Sequence, residues 1–206
     1  RQSSRVINET ATKSDPANVY LWRYPVRRLG AEVVRDRILH VSGRLNPERF
    51  GLPIFPPLPD SIDQRVKYND SKWATQYGEE GRKRSIYIYQ QRTLNMPLLQ
   101  TFDAPVCDES RPRRRASTTP LQALAMYNGV LVTTEVPFFA RRVLALADST
   151  SASRIKVALE LAYCRDADAE EIEQFTKYYE TFEDKREAMI SICRVLYNSS
   201  EFLYLD

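Results

Sequence analysis

From Thr119 onward, apolar and polar positions alternate with the 3.6-residue period of helices that bury one face. "TPLQALAMYNG" opens with a capping box. Thr119 caps, Pro120 takes the first helical position, Gln122 reaches back, and Asn128-Gly129 is a stop signal. The spacing predicts further helices over about Thr134–Ala147 and Ser151–Tyr163. Another begins at Asp168, where Glu171 completes a second capping box. The last, near Asp184–Tyr197, carries Met189, Ile192, Cys193 and Leu196 on one side, and the apolar tail "NSSEFLYLD" is expected to dock. Upstream, Pro25 to roughly Leu45 predicts a helix with Pro25 in its first turn. Val26, Leu29 and Val33 form one stripe, Val34, Ile38, Val41 and Leu45 a neighbouring one, and Ser42-Gly43 frays or ends it.

Between these segments the period is lost. Residues 46–83 form an irregular excursion containing "GLPIFPPLPDS", whose prolines forbid regular helix or central strand. A loop this long in a compact domain is usually functional or wraps another surface. "RSIYIYQQR" (84–92) sets Ser85, Tyr87 and Tyr89 against Ile86 and Ile88, which predicts a short strand. "MPLLQTFDAP" reads as an apolar patch and a turn. The expected fold class is mainly α. One compact helical domain spans 1–206, with the proline-rich excursion and at most a short strand pair.

Composition agrees with a packed core: 43% of the 206 residues are hydrophobic and 28% charged. A net charge of +3 is too small to imply nucleic acid. No run of eighteen apolar residues suggests a membrane span. The polar, uncapped start without Met or signal peptide reads as a piece of a longer or processed protein. A missing N-terminal segment or a partner chain is then expected to cover apolar surface. Cys107, Cys164, Cys193 and the single His40 match no zinc, disulfide or haem-attachment spacing, so no cofactor is expected in this chain. His40 reads as a histidine on a helix face. Trp73, Tyr77, Tyr87 and Tyr89 gather around the irregular region. Such aromatics can stack on sugar rings but more often anchor cores and loops.

The charged residues offer the most chemistry. Arg28, Glu32, Arg35 and Asp36 are spaced to share one face of the predicted first helix. They read first as an ion-pair ladder. The competing reading makes Glu32 or Asp36 a general acid or base of a glycosidase, with Asp103 as the second carboxyl group. "RPRRRASTTPLQ" places Arg111, Arg113, Arg114 and Arg115 before a helix start, where cations are unfavourable unless an anion lies close. Arginine suits bidentate recognition of carboxylates and phosphates. The expectation is that Arg114 and Arg115 turn inward to pair, with Asp103 first and Glu32 or Asp36 next, while Arg111 and Arg113 stay at the surface. An external anion held by spare arginines is the alternative. "RRAS" also resembles a basic-directed kinase site, but four residues carry little.

Six motifs follow one another in order: "YPVRRLGAEVVRDRILHVSGRL", "RKRSIYIYQQR", "LLQTFDAP", "RRRASTTPLQALAMYNG", "AYCRDADAEE" and "LYNSSEFLYLD". Together they resemble the C-terminal part of domain of unknown function 1553, a family abundant in planctomycetes. The resemblance implies an extracytoplasmic setting, in longer proteins with a c-type haem domain upstream, and a link to polysaccharide use. It implies no catalytic residue.

Three readings follow. The first is a non-catalytic extracytoplasmic helical module of a cytochrome-associated protein, binding a protein partner or an acidic polysaccharide. The second is a polysaccharide-active enzyme using Glu32, Asp36 or Asp103, and the chain alone leans away from it. The third is a structural subunit of a larger assembly.

Overall fold

A computed structural model describes residues 8–60, 62, 73–92, 94–106, 110 and 112–205. Arg111 and Cys107, singled out in the sequence, lie outside the described residues. The protein is mainly α, as the periodicity predicts. Its centre is a long helix, α5 (Val130–Leu146), packed on α8 (Lys185–Tyr197). Val132, Val136, Phe139, Ala140 and Val143 of α5 meet Met189, Ile192, Cys193 and Leu196 of α8 in one core. α4 (Pro120–Asn128), α6 (Ser151–Tyr163) and α7 (Ala169–Glu180) pack around this pair.

Local capping sets these helices. Gln122 Oε1 accepts the Thr119 N–H at 3.3 Å, Glu171 accepts the Asp168 N–H at 3.0 Å, and Asp184 accepts the Arg186 N–H at 2.7 Å. Gly129 ends α4 and starts α5, with its N–H bonded to Ala125 O at 2.9 Å. α5 therefore begins at Val130 rather than at Thr134, and Pro137 sits inside the helix.

The amino-terminal half departs further from expectation. Asn8 caps a short helix, α1 (Glu9–Ser14), in the stretch read as uncapped. α2 (Ala31–Val41) starts six residues after Pro25, with Gly30 as its N-cap. The intervening chain is extended because Arg27–Arg28 (β1) pairs antiparallel with Tyr204–Leu205 (β2), in the register Arg27↔Leu205 and Arg28↔Tyr204. Val26 and Val33 are consequently exposed, while Val34, Ile38 and Val41 are buried. The predicted strand 84–92 is instead a 3-10 turn over Ser85–Tyr87 followed by isolated bridges. The apolar patch before Asp103 contains a short helix, α3 (Pro97–Thr101).

The tail docks as its composition predicts. α9 (Ser200–Leu203) buries Phe202 against Tyr197, ring centroids 5.0 Å apart. Arg37 of α2 holds it in place, donating to Phe202 O at 2.9 Å and to Ala162 O at 2.7 Å. Arg165 ties the tail to α7, clasping Glu171 and Glu201 with closest contacts of 2.6 Å. Those two carboxylates, Glu171 first, hold its pKa above the usual arginine value. The irregular excursion is anchored by Ile54, Leu58 and Trp73, which join the core. Trp73 donates its indole N–H to Pro56 O at 3.2 Å, so it is a core anchor, whereas Tyr77 stays exposed.

Candidate functional site

A pocket of about 260 Å³ opens between the end of α3 and the approach to α4. Its lining includes Gln100, Asp103, Arg113, Arg114 and Arg115. Phe102 ends α3 and Asp103 follows in the left-handed region, φ 61°. That turn aims the Asp103 carboxylate at the next segment, where it accepts the Ser117 N–H at 2.8 Å and the Ser117 hydroxyl at 2.8 Å.

Beneath it lies Arg28, only 6% exposed, whose Nη2 donates to Asp103 Oδ2 at 2.6 Å and to Phe102 O at 3.3 Å. Burial by itself raises the Asp103 carboxyl. The Ser117 N–H and hydroxyl, then Arg28 and Arg115, outweigh it and hold the pKa below the ordinary value. Asp103 is thus a fixed anion that pins the arginine segment to α3.

Of the inward pairing expected of the arginines, Arg114 with Glu32 is present but at the surface, and Arg115 departs from it. Arg114 binds Glu32 through both terminal nitrogens, at 2.8 and 2.9 Å, but its side chain is 56% exposed. Arg115 is exposed and has no carboxylate bonded to it among the described residues; only its charge reaches Asp103. The buried partner of Asp103 is Arg28, which β1 delivers from 75 positions upstream. Arg113 is exposed, as expected.

The four residues do not form one ladder along a helix: Arg28 stands on β1 and Glu32 turns to Arg114, while Arg35 and Asp36 stay 3.7 Å apart around Ser85. Glu32 faces Arg114. Burial raises its carboxyl, but bonding to Arg114 and to its own backbone leaves the pKa below normal. Asp36 accepts the Ser85 N–H and hydroxyl, each at 2.7 Å. Arg35 is buried and donates to Gly81 O, Lys83 O and Ser85 Oγ at 2.7, 3.0 and 3.2 Å. Glu32, Asp36 and Asp103 are each engaged by hydrogen-bond donors.

A carboxylate the sequence reading overlooked is Glu135, buried on α5 and accepting from Ser42 at 2.8 Å, with Arg44 3.5 Å away. Its signal was a charged residue within the apolar stripe Val132, Val136, Phe139. Burial drives its pKa up, against Ser42, Arg44, Arg82 and Arg35. A raised acid is easier to protonate in the folded state, so its ionisation costs stability as pH rises through the folded pKa. That cost is absent below the unfolded value. Glu135→Gln is therefore expected to gain stability relative to the native chain as pH rises from about 4 to 7. Urea midpoints of the two proteins across that range measure it, and parallel pH profiles would refute it.

His40 is exposed on α2. Among the described residues no group of three or more His, Cys, Asp or Glu side chains gathers to hold a metal ion, and no helix is long and apolar enough to cross a membrane.

The fold and pocket define a helical domain with an arginine-lined surface site. A family model for a protein of unknown function, DUF1553, matches residues 1–179, and the chain belongs to that family. No curated protein and no solved structure matches it.

Proposed function

We propose that this domain is a non-catalytic binding module whose arginine pocket receives an anionic group, a carboxylate or sulfate, of a partner molecule. One observation carries the reading. Three consecutive arginines line one pocket, and only Arg114 has a carboxylate bonded to it among the described residues, while the pocket's Asp103 is already satisfied by Arg28 and Ser117. Arginine forks at such a site favour planar or multi-oxygen anions. A general acid would need a raised pKa, whereas Glu32 and Asp103 are lowered, so neither of these two fits the acid role of the polysaccharide-active reading. From the family resemblance we carry forward an extracytoplasmic, cytochrome-associated setting and a planctomycete origin. Any haem in that setting belongs to another domain.

Titration with sodium sulfate and with citrate, followed by NMR of the arginine side-chain signals, tests this. Saturable shifts at Arg113, Arg114 and Arg115 are expected, and the affinity read from the Arg114 signal should weaken at least tenfold in an Arg113→Ala/Arg115→Ala double variant. Shifts that never saturate, or that persist unchanged in the double variant, would remove the reading.

A further inference from the structure

The chain leaving the arginine pocket leads straight into an unusual helix. α4 carries no charged residue, and it buries Gln122 together with Met126 while turning three large apolar side chains to solvent. Gln122 is 4% exposed, whereas Leu121, Leu124 and Tyr127 are 68, 55 and 44% exposed. Their i, i+3, i+6 spacing makes one ridge.

This orientation is imposed by bonding. Gln122 Nε2 donates to Thr101 O at 3.0 Å and to Ser117 Oγ at 3.3 Å, while its Oε1 accepts the Thr119 N–H. The same Ser117 hydroxyl binds Asp103 in the arginine pocket. One hydrogen-bonded chain, Arg28–Asp103–Ser117–Gln122, thus fixes both the arginine segment and the outward roll of α4. Arg194 of α8 lies over the Tyr127 ring, 5.6 Å from its centroid, and adds a cation at the far end of the ridge. Large apolar side chains held outward on a rigid helix, between an arginine cluster at one end and the single Arg194 at the other, form a surface suited to contact.

We infer that the strip from Arg113 to Tyr127 is a docking surface for an acidic–apolar peptide segment of a partner protein. Carboxylates of the segment meet Arg113 and Arg115, and its aliphatic or aromatic side chains lie along Leu121, Leu124 and Tyr127. This rests on the proposed anion-binding role of the pocket and commits the anion to a polypeptide. The charge complementarity is one-sided: the pocket and the far end of the ridge are cationic, and α4 offers no acid of its own. An acidic polysaccharide would engage the arginines and leave the apolar ridge unused.

The test is selection of a displayed library of random sixteen-residue peptides against the whole chain, with affinities of the winners measured by anisotropy. Polygalacturonate binding is measured in parallel. Selected peptides are expected to combine an acidic block with apolar residues. Arg113→Ala/Arg115→Ala and Leu121→Ser/Leu124→Ser are each expected to weaken them at least tenfold, with circular dichroism and thermal melting verifying that both variants fold. The leucine variant should leave polygalacturonate binding within twofold.

Failure to select acidic–apolar binders, or binding indifferent to the leucine variant, would overturn the peptide partner. If polygalacturonate or sulfate still binds through Arg113 and Arg115, the anion-binding role survives that loss. If neither binds, both readings fall. Self-association of the chain in sedimentation, abolished by the leucine variant, would assign the ridge to a second copy and likewise overturn the peptide.

Discussion

Arg35→Ala is expected to destabilise the domain by about 3–5 kcal/mol, the range for removing one member of a buried charged network. Arg35 is 1% exposed and projects from α2 into the turn that follows the excursion. Its two terminal nitrogens serve Gly81 O, Lys83 O and Ser85 Oγ, and Asp36 lies 3.7 Å from Nη1. Truncation strips two backbone carbonyls of their donor and opens a cavity the width of a guanidinium. Burial pulls the Arg35 pKa down to about 10, with Asp36 and Glu135 opposing, so the group remains charged at neutral pH.

Arg35→Lys tests the role of the fork. One ammonium cannot span acceptors that two separated nitrogens now satisfy, so lysine is expected to recover less than half the loss. Chemical denaturation of the three proteins measures this. A lysine variant as stable as the native chain would show that charge, not fork geometry, holds the turn.

The same residue shows where sequence reading stops. The helices after Thr119 were legible because their determinants are local. Thr119 with Gln122, Thr150 and Asp168 with Glu171 each sit within a few residues of the groups they cap. The segment around Ser85 looked like a strand from its alternation. It is a 3-10 turn that Arg35 and Asp36 grip from α2, some fifty positions away. Pro25–Gly30 looked like the first turns of a helix, but the carboxy-terminal tail recruits it into β1. That pairing has no signature near Pro25.

The candidate site divides along the same line. That carboxylates and arginines would meet around Asp103 and Glu32 could be read from their residue types. Which arginine meets which carboxylate depends on β1 and α2 arriving beside the end of α3. Ser117 as the donor to Asp103 was invisible for that reason. The outward roll of α4 was likewise hidden, because an exposed leucine and a buried glutamine at neighbouring positions invert the pattern from which burial is inferred.

Asp103→Ala should cost a similar amount, about 3–5 kcal/mol, for a different reason. The carboxylate is the anion that neutralises Arg28, whose side chain is 6% exposed and, among the described residues, keeps the Phe102 carbonyl as its one acceptor if Asp103 is lost. Ser117 loses its acceptor in the same step. Alanine also fits poorly at φ 61°, whereas asparagine tolerates that conformation. Asp103→Asn therefore separates charge from backbone, and an intermediate loss is expected.

The charge contribution should follow pH with a definite sign. The folded pKa of Asp103 lies below its ordinary value, so its stabilisation is fully present above the unfolded value of about 3.9. It is lost as pH falls through the folded pKa. The gap between the native chain and Asp103→Asn should close toward strongly acid pH. Arg113→Ala, by contrast, should stay within about 0.5 kcal/mol of the native chain, as usual for a surface substitution. In a double-mutant cycle, adding Arg28→Met to Asp103→Ala should restore stability relative to Asp103→Ala alone, because the stranded buried cation is removed. Equal losses for Asp103→Ala and Arg113→Ala, or strict additivity in the cycle, would show that the Arg28–Asp103 pair does not organise the site.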